Sequence, residues 1–197
     1  MIVLMGMAGS GKGTQGKALS EIFGWRWLSV GEAIRSAGGY EKIINAGHLI
    51  PDEDVIELMN RQIEKAEDEG FDLILDGYPR DEVQAKYVIE HMAEKIDGVI
   101  VLVVPREELL ERLAMRGRDD DKERAAIERR FDVFVQNSQP ILDLFTSAGI
   151  PVERVDGVGK IEEVTKRLIT VVERMNPDAT EQGHDVNGGE IERSYGE

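Results

Sequence analysis

A glycine-rich segment near the start of the chain, Gly-Met-Ala-Gly-Ser-Gly-Lys-Gly-Thr at residues 6–14, has the residue types that a phosphate-binding loop needs. Glycines allow the backbone angles and the close approach by which successive N–H groups surround a phosphate, and Lys12 adds a positive charge. The apolar run at residues 2–5 predicts a buried strand before the loop. The helix expected after the loop directs its positive dipole end at the same anion. The segment therefore predicts a nucleotide phosphate site.

A second segment, Asp-Gly-Tyr-Pro-Arg at residues 76–80, directly follows the apolar run 71–75, which also predicts a strand. A carboxylate at the end of a strand can orient Mg²⁺ through water molecules, because Mg²⁺ keeps much of its hydration. Arg80 follows a stiff Gly-x-Pro turn that directs its guanidinium toward the same edge. Arg35 comes shortly after another predicted strand, residues 27–30, so a second guanidinium is expected at the mouth of the site.

Further arginines lie between residues 112 and 130, namely Arg112, Arg116, Arg118, Arg129 and Arg130. Acidic residues lie among them, so a solvated salt-bridge surface is the alternative interpretation. A phosphate loop, an acid suited to Mg²⁺ and arginines from separate segments are together the equipment for phosphoryl transfer, which depends on positioning and on neutralisation of charge. The combination favours an enzyme that transfers a phosphoryl group.

Predicted strands and helices alternate along the chain. Apolar runs predict strands at residues 2–5, 27–30, 71–75, 99–104 and 152–155, and amphipathic periodicity predicts helices at 14–23, 52–67, 81–93, 107–116, 123–145 and 161–175. This alternation predicts an α/β fold, with a five-stranded parallel sheet and helices on both faces. Ligands of such sheets bind beyond the carboxyl ends of the strands, where all the segments described above fall.

The 197-residue chain is acidic, with a formal net charge of −15, no cysteine and no apolar stretch of membrane-spanning length. The charge argues against binding to nucleic acid or to an anionic membrane, and the lack of cysteine argues against a structural zinc site. We expect a cytoplasmic monomer whose partners are small nucleotides. Residues 176–197 lack apolar periodicity and predict a disordered acidic tail after a domain at residues 1–175.

In order and spacing these segments resemble the adenylate kinase family of nucleoside monophosphate kinases, over about residues 1–170. The motifs are Gly-Lys-Gly-Thr-Gln at 11–15, Leu-Ser-x-Gly at 28–31 with Arg35, Gly-x-Leu-Ile-Pro-Asp at 47–52, Asp-Gly-Tyr-Pro-Arg at 76–80 with Gln84, and Arg-Gly-Arg-x-Asp-Asp at 116–121. Gly13 stands where Ser or Thr usually follows the lysine of such a loop, but Gly-Lys-Gly-Thr is the family's own form. The resemblance implies a P-loop NTPase-type fold and reversible transfer of the γ-phosphoryl group of MgATP to AMP, giving two ADP.

The resemblance also implies a role for each site residue. The residues expected to bind ATP are Gly9, Ser10, Gly11, Lys12, Gly13, Thr14, Arg112, Arg116 and Gly159. Those expected to bind AMP are Val30, Arg35, Gly77, Arg80 and Gln84, with Gln84 reading the base. Thr14 and Asp76 would serve Mg²⁺, Asp76 through water. Lys12, Arg80, Arg116, Arg118 and Arg130 would act on the transferred phosphoryl group, with Arg129 as the alternative to Arg130.

Two regions depart from the full family pattern. The lid is reduced to a loop at about residues 116–122, and the monophosphate-binding insertion at about residues 30–59 is short, because residues 36–46 leave room for fewer helices. Water exclusion would then depend on a small loop and on closure of the insertion.

Base selectivity leaves an alternative open. Val30 stands where members that prefer adenine usually carry Thr and members that prefer pyrimidines often carry Ala, whereas Gln84 matches the adenine readers. A UMP/CMP kinase with the same mechanism is therefore the first alternative to an adenylate kinase. A nucleotide-binding switch without turnover is the second, although the sequence has no Asn-Lys-x-Asp guanine reader. Phosphorylation of another small acceptor is a third, against which Arg35 and Gln84 argue.

Overall fold

The structure, a computed structural model, describes residues 1–179. Its sheet has five parallel strands: β1 (Ile2–Gly6), β2 (Arg26–Ser29), β3 (Leu73–Asp76), β4 (Gly98–Val103) and β5 (Val152–Asp156), in the order β2-β3-β1-β4-β5. Each predicted strand is present, with ends shifted by one or two residues. Val30, predicted to end the second strand, instead begins a helix.

Eight α-helices connect or flank these strands within residues 1–179: α1 (Lys12–Phe23), α2 (Val30–Ala37), α3 (Glu41–Asn45), α4 (Asp52–Asp68), α5 (Glu82–Met92), α6 (Arg106–Arg116), α7 (Arg124–Ser147) and α8 (Ile161–Met175). The six helices that the periodicity predicts are all found. The two additional ones, α2 and α3, are short and lie in the proposed insertion. No helix in this part of the chain combines the length and the apolar character needed to cross a membrane.

Apolar side chains form a separate core on each face of the sheet. Val3 and Met5 of β1 belong to one core, with residues of α4, α5 and α7, whereas Ile2 and Leu4 belong to the other, with residues of α1 and α8. Successive side chains of a strand point to opposite faces, so a strand that is covered on both sides must be apolar throughout. This packing confirms the predicted α/β fold with helices on both faces.

The strand order places a crevice beside β1. The chain passes from β1 to one side of it for β2 and β3 and then to the other side for β4 and β5. The loops that leave the carboxyl ends of β1, β3 and β4 therefore diverge at this point, which is where open α/β sheets bind their ligands.

Three segments bear on the proposed domain limits, which stay predictions. Residues 36–46 keep the five-residue helix α3, and the connection between α6 and α7 consists of residues 117–123 with one turn of 3-10 helix. The predicted tail begins with residues that contact the domain: Asn176 Nδ2 donates to Asp97 Oδ2 at 3.1 Å, and Ala179 is buried. The rest of the proposed tail, residues 180–197, lies outside the described residues.

Candidate active site

The loop between β1 and α1 has a backbone shape that requires glycine. Gly9 and Gly11 have φ values of +85° and +97°, which L side chains rarely adopt. A Cβ atom on Gly9 would also lie 2.9 Å from the carbonyl oxygen of Leu109, closer than real Cβ atoms come. The loop therefore brings its N–H groups and the first turn of α1 to one point, as an anion site requires.

The side chain of Lys12 is enclosed by this loop. Its Nζ donates to the carbonyl oxygens of Gly6 at 2.6 Å and Met7 at 2.9 Å. Burial lowers the pKa of Lys12 from 10.5 to about 8, although the nearby Asp76 carboxylate opposes the change. An arriving phosphate would favour the charged form, because an opposite charge at short range stabilises it.

Asp76 ends β3 beside this lysine and is 6% exposed. Burial raises the pKa of its carboxyl group, and the charges of Lys12 and Arg80 counteract that rise. Thr14 lines the same cavity. Within residues 1–179 no group of three or more His, Cys, Asp or Glu is arranged to hold a metal ion. A carboxylate and a hydroxyl fit Mg²⁺, which takes oxygen ligands, keeps several waters and binds through substrate phosphates instead of a full protein cage.

The predicted arginines converge on one large cavity of about 1020 Å³ at the carboxyl edge of the sheet. Those that line it are Arg35, Arg80, Arg112, Arg116, Arg118 and Arg130, together with Gly77, Gly159 and the phosphate loop. Six guanidinium groups from four segments of the chain thus line the cavity that contains Lys12. Such a concentration of positive charge in a chain of net charge −15 indicates a strongly anionic ligand.

Arg35 and Arg80 approach each other closely on the insertion side of the cavity. A Cβ atom on Gly31 would lie 3.3 Å from an Arg35 nitrogen and 3.5 Å from an Arg80 nitrogen, so both guanidinium groups meet over this glycine. Arg80 Nε donates to Gly77 O at 3.0 Å. Burial lowers the pKa of both arginines, and repulsion from the charge of Arg35 lowers the pKa of Arg80 further. A doubly charged phosphate group between them would relieve that repulsion.

Arg116 and Arg130 are held by two buried aspartates of the short 3-10 helix. Arg116 Nε donates to Asp121 Oδ2 at 2.6 Å, and Arg130 donates to Asp120 Oδ2 at 2.9 Å and to Asp121 Oδ1 at 2.7 Å. Burial raises the pKa of Asp121, but the hydrogen bonds from both arginines bring it below its ordinary value. We refer to these four side chains as the arginine–aspartate cluster.

The neighbouring arginines 129 and 130 face different ways. Arg130 lines the cavity, and its Nε is buried with no hydrogen-bond partner among residues 1–179. Arg129 instead donates to the carbonyl oxygen of Ala46 and is not among the residues found along the cavity wall. Of the two arginines, Arg130 is therefore the one that faces the cavity, and its contact with a phosphate stays a prediction.

Arg112 connects the phosphate loop to the loop after β5. Its guanidinium donates to Ser10 O at 3.3 Å and to Gly157 O at 2.9 Å, and it pairs with Glu108. Glu107, Glu108 and Glu111 also line this end of the cavity. These glutamates are not among the residues predicted from the sequence, although their positions beside Arg112 on one helix indicate them.

Gln84 and Val30 are the two predicted site residues that the structure does not bring to the cavity wall. Both are 0% exposed and neither is among the described residues that line the cavity. Gln84 Nε2 donates to Asp52 Oδ1 at 2.8 Å and to Asp81 Oδ2 at 3.1 Å, and its Oε1 accepts from Arg80 N at 2.9 Å. The amide is occupied by protein groups, so in this conformation it offers nothing to a base.

Trp27 also lines the cavity. Apolar side chains missed as site residues line the insertion side of the cavity: Ile34, Ile44, Leu49, Val133, Phe134 and Ile141. They form an apolar surface near Arg35 that could hold a planar base. Val133, Phe134 and Ile141 lie on α7, whose periodic spacing indicated only a buried face, because periodicity does not distinguish a core from a cavity wall.

The family model for adenylate kinase matches residues 4–150 of this chain. The adenylate kinase of Porphyromonas gingivalis is 36% identical over 193 residues, covering 88% of this chain and 95% of the relative. The chain belongs to the adenylate kinase family. The adenylate kinase of Mycolicibacterium vanbaalenii is 37% identical over 184 residues, covering 88% of this chain and 99% of the relative. The adenylate kinase of Archaeoglobus fulgidus is 32% identical over 217 aligned residues, covering 88% of this chain and 98% of the relative.

Membership in the adenylate kinase family confirms the resemblance identified from the motifs. It also confirms the expected class of enzyme, a phosphotransferase of the nucleoside monophosphate kinase type. Members of the adenylate kinase family use MgATP, which agrees with the carboxylate and hydroxyl oxygens next to the phosphate loop.

Proposed function

We propose that this chain catalyses the reversible transfer of the γ-phosphoryl group of MgATP to AMP, giving two ADP. The observation that carries the proposal is the convergence of six arginines, Lys12 and Asp76 on one cavity that is large enough for two nucleotides. Phosphoryl transfer needs this equipment, because the protein mainly positions the reactants and neutralises charge on the moving group.

The donor would lie on the side of α1. The backbone of the loop, including Gly9, Ser10, Gly11 and Gly13, would surround the outer phosphates of ATP, and Lys12 would neutralise part of their charge. Mg²⁺, when bound with ATP, would neutralise phosphate charge, with Thr14 and a water-mediated contact from Asp76 at its protein side. Arg112 and Gly159 would hold the adenosine part, between α6 and the loop after β5.

The acceptor would lie on the side of the insertion. Arg35 and Arg80 would bind the phosphate of AMP, and the apolar side chains near Arg35 would pack against its base. Arg116, Arg118 and Arg130 lie between the two halves and would stabilise the transferred phosphoryl group. Gln84 would read the base only after its amide leaves Asp52 and Asp81, which requires a change of the conformation described above.

The choice of AMP over CMP or UMP is supported by relatives named adenylate kinase. The test is an assay of ADP formation from MgATP with each of the three monophosphates, and with none. We expect the highest kcat/KM with AMP. A higher kcat/KM with CMP or UMP would overturn the choice of acceptor, and inactivity with all three would overturn the proposed reaction.

A bisubstrate analogue with two adenosines joined by five phosphates gives an independent test. We expect one molecule to bind per chain, far more tightly than ATP or AMP, because a linked ligand engages both halves of the site at once. Binding no tighter than that of ATP would contradict two adjacent nucleotide sites.

A cytoplasmic location and a monomeric state stay predictions.

A further inference from the structure

The side-chain amide of Gln84 joins three segments of the chain beside Arg80. Gln84 is 0% exposed, and its Nε2 donates to Asp52 Oδ1 at 2.8 Å and to Asp81 Oδ2 at 3.1 Å. Its Oε1 accepts from the backbone N of Arg80 at 2.9 Å. Both N–H hydrogens of the amide and its oxygen are therefore in use within the protein.

The orientation of this amide follows from its partners. Ionised carboxylates only accept hydrogen bonds, and a backbone N–H only donates one. Turning the amide over would direct its oxygen at the carboxylates of Asp52 and Asp81, and its NH2 group at the N–H of Arg80. Both contacts would be repulsive, so the oxygen of the amide has to face Arg80. Buried polar groups that are all hydrogen-bonded make the surrounding structure more rigid.

The two carboxylates that hold the amide lie close together, because both contact the same nitrogen of Gln84. Burial raises the pKa of Asp81 to about 6, and the neighbouring Asp52 adds to the rise. Asp81 also accepts from the backbone N of Gln84 at 3.0 Å and thereby caps the start of α5. Asp81 and Gln84 thus belong to one helix start, and Asp52 is the partner that comes from a different helix.

Asp52 ties the proposed insertion to Arg80. It is the first residue of α4 and is partly buried. Arg35, from the same insertion, meets the guanidinium of Arg80 over Gly31. The insertion therefore reaches Arg80 in two ways: Arg35 lies beside its side chain, and Asp52 holds its backbone through the amide of Gln84.

We propose that Asp52 is a positioning residue of the acceptor site, which holds the Gln84 amide against the Arg80 backbone and so fixes Arg80 where it receives the phosphate of the monophosphate. The proposal rests on the proposed function, because it assigns Arg80 to that phosphate. Asp52 acts through Gln84 and touches no substrate. Because every nucleoside monophosphate carries the same phosphate, the contribution of Asp52 is independent of the base.

The first test replaces Asp52 by Ala and measures the binding of AMP and of CMP by NMR titration. We expect the Kd of each to rise about fivefold, because one of the two hydrogen bonds that hold the amide nitrogen is lost. The ratio of the two Kd values and the Kd of ATP should stay unchanged. Glu53→Ala is the matched control, since Glu53 is exposed in the same first turn of α4 and carries the same charge. It should keep each Kd within about twofold of the parent value.

The second test needs no nucleotide and no turnover. The N–H of Arg80 is protected from exchange with solvent by its hydrogen bond to Gln84 Oε1. We expect this amide hydrogen to exchange about fivefold faster in Asp52→Ala than in the parent, because the amide of Gln84 is held less firmly. In Glu53→Ala its exchange rate should equal that of the parent.

Two further variants separate the hydrogen bond from the charge and from folding. Asp52→Asn keeps a side-chain oxygen that can accept from Gln84 Nε2, so its Kd values and the exchange rate of the Arg80 amide should return to within about twofold of the parent. If Asp52→Ala fails to fold, Asp52→Ser takes its place, because serine keeps a polar group at the start of α4 and is too short to reach the amide.

Three results would overturn the role of Asp52. The first is an exchange rate of the Arg80 amide that is equal in the parent and in the Ala or Ser variant. The second is a Kd that changes for AMP alone, which would show that Asp52 governs the reading of the base. The third is an Asn variant that binds as weakly as the Ala variant, which would assign the effect to charge. Failure of the parent protein to phosphorylate AMP would overturn the proposed function instead, and exchange of the Arg80 amide would still decide for or against Asp52.

Discussion

Lys12 carries its charge in an enclosed position, surrounded by backbone carbonyl groups and close to one carboxylate. Burial is the larger effect, so the pKa of the free side chain falls to about 8. The charged form, which attracts phosphate, is therefore lost as the pH rises through about 8. An unperturbed lysine would keep its charge to about pH 10.

This low pKa predicts that ATP affinity falls above pH 8. We expect the Kd of MgATP, measured by titration calorimetry, to rise about fivefold between pH 8 and pH 9, because the bound phosphates favour the protonated amine. In Lys12→Arg the affinity should be lower throughout but independent of pH in this range, since a guanidinium stays charged. A parent protein whose Kd is constant from pH 7 to pH 9 would contradict the prediction.

At the scale of elements, the insertion meets the start of α7 at a close backbone contact. Gly47 has a φ of +78°, and a Cβ atom there would lie 2.5 Å from the carbonyl oxygen of Ala126. Arg129 of α7 donates to the carbonyl oxygen of the preceding residue, Ala46. The two contacts hold the insertion over the cavity in the conformation described above.

Gly47→Ala should therefore open this contact. We expect the variant to lose about 2–4 kcal/mol of stability, from backbone strain and steric overlap together, and to show a KM for AMP raised roughly 10-fold. Gly39→Ala is the matched control, because Gly39 has a φ of +83° in the same insertion with no described atom within 4 Å of its Cβ position. The control should lose only about 1 kcal/mol of stability, from backbone strain alone, and should keep its KM for AMP unchanged. Equal effects of the two variants on the KM for AMP would contradict the prediction that the contact between Gly47 and Ala126 supports AMP binding.

Much of the site could be predicted from the sequence because its parts are local. The phosphate loop consists of nearby residues after a strand, and Asp76 with Arg80 likewise follows a strand directly. The amide of Gln84 could not be placed in this way, because one of its partners, Asp52, is 32 residues away on another helix. The position of Trp27 against α1 also depends on the distance between a strand and a helix, which no local pattern encodes.

At the scale of the whole molecule, the fold continues past the last long helix. Asp97 accepts from the terminal ammonium group of Met1 at 2.6 Å and from Asn176 Nδ2 at 3.1 Å. Ala179 is fully buried in the core that contains α1 and α8. Residues 176–179 thus tie the end of α8 to the edge of the sheet opposite the active site.

Two truncations separate these four residues from the remainder of the acidic segment. Removing residues 180–197 should leave the melting temperature within about 1 °C of the parent, because the contacts described above are retained. Removing residues 176–197 should lower it by about 3–6 °C, since a hydrogen bond and a buried side chain are lost. A large loss in the first truncation, measured by calorimetry, would show that residues 180–197 contribute to the stability of the domain.

The arginine–aspartate cluster has a consequence for which anions the free protein can hold. Two of the six cavity arginines are already neutralised by Asp120 and Asp121, so an arriving phosphate must compete with carboxylates that belong to the chain. Asp120 and Asp121 are thus the counter-ions of Arg116 and Arg130 until a phosphate takes their place. We expect nucleotide phosphates, which carry several negative charges each, to compete with these aspartates better than chloride does. In this way an acidic protein can hold arginines close together before a nucleotide is bound.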